Sequence, residues 1–245
     1  MFVATDVSKI SLSPDFTTIP KRHCYAVDRM PNGDVLLAGY YGFDVSNTKG
    51  EILKEVKSKE GHYTGIQYYK GKIYCLLKNS SKGSLKRSVV VHDIPSYEVV
   101  NKWSLPDYEF VSMLAVSNDK VYAVDINAKR VKIFSLTGEP KNDFLHPSFL
   151  KPIYMSRCAP DGVLLADLAA EKVHKIDCST DKIVWSFDLK SPRGVYCDKQ
   201  GNIWVWSSSK KAYFVRSSDG KYSYYQPETT RIVKHLLMDF SSSQT

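Results

Sequence analysis

Histidines and a surplus of cations are the groups in this chain of 245 residues with the chemistry to hold a ligand. His23 and His62 each stand three residues before a short turn-free stretch, Ala26-Val27 and Gly65-Ile66, and His235 falls within a residue or two of that place in a third stretch. Imidazoles repeated at one structural position converge on a common axis. Three of them would hold a zinc ion with an open coordination position, the arrangement of a hydrolase or lyase centre. His23, His62 and His235 are therefore the candidate metal ligands of an enzymatic alternative, although the spacing places no carboxylate or tyrosine beside them. Other catalytic patterns are missing from the sequence: there is no G-x-S-x-G turn, no phosphate loop and no H-E-x-x-H pair. A calcium cage needs several oxygen ligands, and the stretches that would line a central channel offer only Asp28 and Asp198 as carboxylates. The leading expectation is a non-catalytic recognition module without a cofactor.

What it recognises is suggested by charge. Lysine and arginine number 34 against 26 acidic residues, a net charge of +8, with an isoelectric point near 9.1. That surplus favours an anionic partner. It gains meaning only if the cations gather on one surface, and that depends on the elements that carry them.

Those elements repeat. Hydrophobic pulses occur at Val35-Leu36-Leu37-Ala38, Ile73-Tyr74-Cys75-Leu76, Val121-Tyr122-Ala123-Val124, Val163-Leu164-Leu165-Ala166 and Ile203-Trp204-Val205-Trp206. Their first residues are 38, 48, 42 and 40 positions apart, and a Gly or Asn/Asp turn stands just before each. Such a period, with several short strands per unit, indicates propeller blades. Turn residues cut each unit into four strands; in the first, they run at about residues 24–30, 34–39, 43–46 and 51–56. Five units fill the middle of the chain. Residues 233–240 add one more inner-strand pattern, and residues 2–4, 8–12 and 16–19 resemble second, third and fourth strands. The expectation is an all-β fold of residues 1–245 as a single domain: a six-bladed β-propeller of four-stranded blades, closed by pairing of the N- and C-terminal segments. Closure of that kind removes exposed strand edges.

No run of apolar residues is long enough for a membrane span, and the start has no basic region followed by a long apolar run. Five scattered cysteines without a C-x-x-C pair suit reduced thiols. A monomeric, cytoplasmic domain away from membranes is expected.

In a propeller, the loops that lead into inner strands and those that join second to third strands share one face. That rule gathers Lys21, Arg22, Lys82, Lys86, Arg87, Lys129, Arg130, Arg193 and Arg231 around one mouth. Tyr40 and Tyr41 share the face, and being adjacent, only one of them can turn inward. Cations beside accessible rings fit single-stranded RNA, with phosphates on the cations and bases stacked on tyrosine. A protein or peptide is the rival partner. His92 and His174 fall on third strands and are expected to be structural, and Tyr63 is expected to pack between blades.

The segment PRGVYCDKQGNIWVWSSSKKAYFVRSSDG, residues 192–220, resembles the NHL repeat, whose pattern runs P-x-G-I-A-V-D-x-x-G-N-I-Y-V-A-D, then N-H-R and a third strand. Residues 120–139 and 160–182 are similar to its second half: Asp125 and Asp167 stand at the family's aspartate, Arg130 at its arginine and Lys172 at the equivalent place. The resemblance implies the six-bladed propeller found at the C-terminus of tripartite-motif (TRIM-NHL) proteins. It further implies RNA or protein recognition, as the substrate-binding end of a TRIM-type ubiquitin ligase. The family also contains a zinc-dependent amidating lyase with channel histidines, which the histidine set would match. No RING, B-box or coiled-coil pattern accompanies it here.

Overall fold

Among the described residues, twenty short strands form five antiparallel sheets of four, each built from consecutive strands. The structure, a computed structural model, describes residues 24–79, 86–105, 111–198, 201–216 and 222–225. Blade 1 contains β1 (Cys24–Arg29), β2 (Val35–Gly39), β3 (Gly42–Ser46) and β4 (Ile52–Lys57). Blade 2 contains β5 (His62–Tyr69), β6 (Lys72–Asn79), β7 (Lys86–Asp93) and β8 (Val99–Ser104). Blade 3 contains β9 (Val111–Ser117), β10 (Lys120–Asp125), β11 (Arg130–Ser135) and the two-residue β12 (Phe144–Leu145). Blade 4 contains β13 (Pro152–Cys158), β14 (Gly162–Asp167), β15 (Lys172–Asp177) and β16 (Lys182–Asp188). Blade 5 contains β17 (Pro192–Cys197), β18 (Ile203–Ser207), β19 (Ala212–Arg216) and β20 (Tyr222–Tyr225).

Burial explains the strand patterns. The hydrophobic pulses are the second strands, covered on both faces by neighbouring blades, so they need no polar face: every residue of β14 is buried. The outer strand β16 alternates between exposed and half-buried side chains because one face meets water. Four apolar cores lie between successive blades. One packs Leu36 and Phe43 against Ile73 and Leu77, the next Leu76 against Leu114, the third Tyr122 against Leu165, and the fourth Leu164 against Val205. Side chains also clip inner strands together. The Tyr68 N–H donates to Asp28 Oδ2 at 2.7 Å, the Val116 N–H to Gln67 Oε1 at 2.8 Å, and the Ser112 hydroxyl to the Ile153 carbonyl at 2.7 Å.

The β-propeller of four-stranded blades is as expected, and among the described residues it has five blades where six were expected over the whole chain. Each of these five blades takes four consecutive strands, so β1–β20 account for all of them. The segments assigned to a sixth blade, residues 2–4, 8–12, 16–19 and 233–240, lie outside the described residues, as does their pairing. No helix among the described residues is long and apolar enough to cross a membrane.

Candidate anion-binding face

Asp125 and Asp167 end the second strands of blades 3 and 4, and both are spent on holding loops. Asp167 is fully buried and accepts the N–H groups of Leu150, Lys151 and Ala170 at 2.8, 2.8 and 2.9 Å. Asp125 accepts the Ala128 N–H and pairs with Arg130 Nε at 3.4 Å. These contacts fix the loops of one face, called here the upper face.

The cations of that face divide into two groups. Arg130 is bound also to Asp143 at 3.0 Å, and Lys132 reaches the same carboxylate at 2.6 Å. Arg193 donates to the Tyr154 hydroxyl, and Lys102 pairs with Glu60. In contrast, Lys59, Lys86, Lys129, Lys151, Lys190, Lys210 and Lys211 are exposed, and none has an ion pair among the described residues. On the lower face Lys70 pairs with Asp119 at 2.6 Å, Lys72 with Asp93 at 3.0 Å and Lys120 with Asp181 at 2.7 Å, while Lys49 and Lys182 are exposed without an ion pair among the described residues. Both faces thus carry exposed lysines without an ion pair, more of them on the upper face.

The densest cationic feature runs across blade 2. His62 on β5 pairs in register with Lys78 on β6, and Lys78 with Arg87 on β7. Like charges directly opposite one another across a sheet are unfavourable. Burial and the Arg87 guanidinium hold Lys78 below its ordinary value, and burial with Lys78 does the same to His62. Burial alone holds Arg87 down to about 10. Its Nε and Nη1 are buried with no hydrogen-bond partner, an expensive state for a charged donor.

A ring cluster borders the row. Tyr40 stands edge-on to His62 at 4.4 Å and to Tyr25 at 5.0 Å, with Tyr41 6.3 Å away. Tyr41 is 80% exposed and Tyr40 38%. Gly42 makes this turn possible. At φ +130° it occupies a region few side chains tolerate, and a Cβ there would lie 1.8 Å from the Val56 carbonyl oxygen.

The expected residues thus fare unequally. Tyr40, Tyr41, His62, Lys86 and Arg87 come together; Lys129 is free on the same face; Arg130 and Arg193 are tied down. Lys21, Arg22, Lys82 and Arg231 lie outside the described residues, as do His23 and His235. Among the described residues no three metal-binding side chains converge, and a dication at His62 would face the Lys78 ammonium. His92 is structural, bonded to the Tyr63 hydroxyl at 3.0 Å and the Tyr97 carbonyl at 2.9 Å, and Tyr63 packs between blades. His174 bonds Ser186 Oγ at 2.6 Å and is buried.

Comparison with solved structures agrees with this architecture. A protein of unknown function from Bacteroides caccae is 12% identical over 83% of this chain and 81% of its own, with a TM-score of 0.64. A streptogramin B lyase is 14% identical over 86% and 85%, with a TM-score of 0.60. Virginiamycin B lyase from Staphylococcus aureus is 11% identical over 85% of each chain, with a TM-score of 0.59. The chain is a β-propeller. Identity at that level carries the fold alone. In sequence, no protein-family profile and no curated protein matches. The NHL likeness accordingly stands on the residues quoted above.

Proposed function

We propose that this propeller is a recognition module whose upper face binds single-stranded RNA, without catalytic groups of its own. The observation that carries the reading is the set of seven exposed upper-face lysines without an ion pair among the described residues, spread over several loops of one face. A polyanion would neutralise them together, and phosphate spacing suits cations spread over several loops. Arg87 and Lys78 add a half-buried centre to this field, where a phosphate oxygen would give the guanidinium the partner it lacks. Tyr41, exposed beside that centre, offers a ring for one base, worth about 1–3 kcal/mol when stacked. The NHL resemblance supports the same reading, and it extends it to the recognition end of a tripartite-motif ligase.

A salt-titrated binding assay with mixed-sequence RNA oligomers tests it. Affinity should fall with log salt at a slope of about −0.7 per phosphate neutralised. The variant Lys86→Glu/Lys129→Glu/Lys210→Glu should lose most of that slope with its melting temperature unchanged, because exposed, unpaired lysines add little to folding. Absence of binding at low salt, or an unaltered slope in the variant, overturns the RNA reading and leaves a protein or peptide as partner.

A further inference from the structure

On the lower face, the turns after β1, β5, β9 and β13 surround a cavity of about 450 Å³, within the range of small-molecule sites. Its walls include Pro31, Pro160, Tyr68 and Tyr69, with Arg157 and Asp161 as polar members. Two prolines and two phenol rings present flat apolar surfaces. Tyr69 is held in place by Asp119, to which its hydroxyl donates at 3.1 Å. Lys70 is occupied by the same carboxylate at 2.6 Å. The remaining cation is Arg157. Its guanidinium carbon stands 5.4 Å from the centre of the Tyr69 ring, its Nε is buried without a hydrogen-bond partner, and it forms no ion pair among the described residues. Arginine stacked on an aromatic face keeps its fork oriented for a carboxylate.

Close to Arg157 stands Asp28 of β1, whose Oδ2 accepts the Tyr68 N–H at 2.7 Å. Burial holds its carboxyl up to about 6, opposed by the hydrogen bonds it accepts from the Tyr68 and Arg29 amides and by the Arg157 charge. The groups facing it are Arg157 from β13, Tyr196 from β17 and Arg29 on its own strand, with Asp198 beside Tyr196. One unpaired guanidinium, with carboxylates at Asp28, Asp119 and Asp161 nearby, suits a monoanion and opposes a dianion.

We infer that this lower cavity binds a small molecule that carries one carboxylate on a planar apolar body. The carboxylate pairs with the Arg157 guanidinium, and the body lies between the prolines and the tyrosine rings. This site is separate from the upper face, and its occupant needs no phosphate.

Benzoate is the probe, titrated into the full chain and followed by calorimetry and by amide chemical shifts, with benzyl alcohol and inorganic phosphate in parallel. Benzoate should bind saturably at millimolar concentration and shift amides of the four turns, while the other two should not. Arg157→Gln should weaken it by about tenfold or more, as loss of a charge-assisted pair does. The pH profile tests the site without that substitution. Benzoate should bind more tightly at about pH 5 than at about pH 7.5, because Asp28 takes up a proton between them, and in Asp28→Asn the profile should be flat. Equal binding of benzyl alcohol, of phosphate, or of benzoate to the Arg157→Gln protein overturns the inference, as does the absence of saturable benzoate binding.

Discussion

Asp167 offers the sharpest test of how the upper face is built. Its Oδ2 accepts the Leu150 N–H, and its Oδ1 accepts those of Lys151 and Ala170, so one buried carboxylate holds both the chain leading into β13 and the turn leading into β15. In Asp167→Ala three partly buried N–H groups lose a charged acceptor, each bond worth about 1.5–3 kcal/mol. Their sum is reduced because the buried charge no longer has to be desolvated and because the loops relax. The expected loss is about 3–5 kcal/mol. Asp167→Asn keeps one oxygen for Lys151 and Ala170 but turns an NH2 toward the Leu150 N–H, for an intermediate loss of about 2 kcal/mol.

The control is Asp177 in the same blade. It accepts the Ser179 N–H at 2.7 Å and the Thr180 N–H at 3.3 Å in a solvent-facing turn, where water can replace it. Asp177→Ala should cost less than about 1 kcal/mol. Urea unfolding, read as midpoint shifts at constant slope, measures all three. If Asp167→Ala and Asp177→Ala cost the same, or if Asp167→Asn matches the parent, then burial of the cap is not what stabilises the blade.

Other consequences are equally direct. Gly42→Ala should lower stability by about 2–4 kcal/mol through strain at φ +130° and collision with the Val56 carbonyl, and thermal melting will register it. His174 is held down to about 4 from 6.5, mainly by burial, so it stays neutral in the fold while the unfolded chain is protonated. Stability present above about pH 6.5 should therefore fall as the pH drops toward 4, by on the order of 3 kcal/mol from this residue, and His174→Gln should remove that part of the slope. The Cys158 and Cys197 sulfurs lie 2.8 Å apart at the ends of β13 and β17. The bond from the Cys197 thiol, with the Lys175 charge, holds Cys158 down to about 7. Oxidised glutathione should join the two as a disulfide, itself being reduced to two thiols, and intact-mass analysis should record the loss of two hydrogens.

The second strands were legible because a strand covered on both faces tolerates only apolar side chains, which is why β14 stands out in the sequence. The order of strands within each blade followed from the turns. The basic neighbours of Arg87 suggest a loop, yet it lies inside β7, where it loses solvent; a strand boundary one residue away decides its chemistry. For Arg130 the partner Asp125 was visible as a neighbour in the repeat, but Asp143, thirteen residues on, becomes a partner only when the chain returns toward β12. Arg157 gave no signal at all. Its cavity is assembled from turns of four blades, and no local pattern encodes that meeting.

Three arginines in one chain show what the fold does with a guanidinium when structure is the only demand. Arg130 receives two carboxylates. Arg87 and Arg157 are also drawn partly out of water, yet Arg87 keeps two buried nitrogens without acceptors and Arg157 keeps one. A fold that supplies aspartates to the first is able to supply them to the others, so the unmet donors are best explained by ligands that complete them, one on each face. The two sites lie on opposite faces, Arg87 on the upper and Arg157 on the lower, and share no side chain. Their energetics should then add. Arg157→Gln should leave the salt slope of RNA binding unchanged, and Lys86→Glu/Lys129→Glu/Lys210→Glu should leave benzoate affinity unchanged. A loss of RNA binding in Arg157→Gln protein that remains fully folded would mean that one ligand engages both faces, and the assignment of two separate sites would fail.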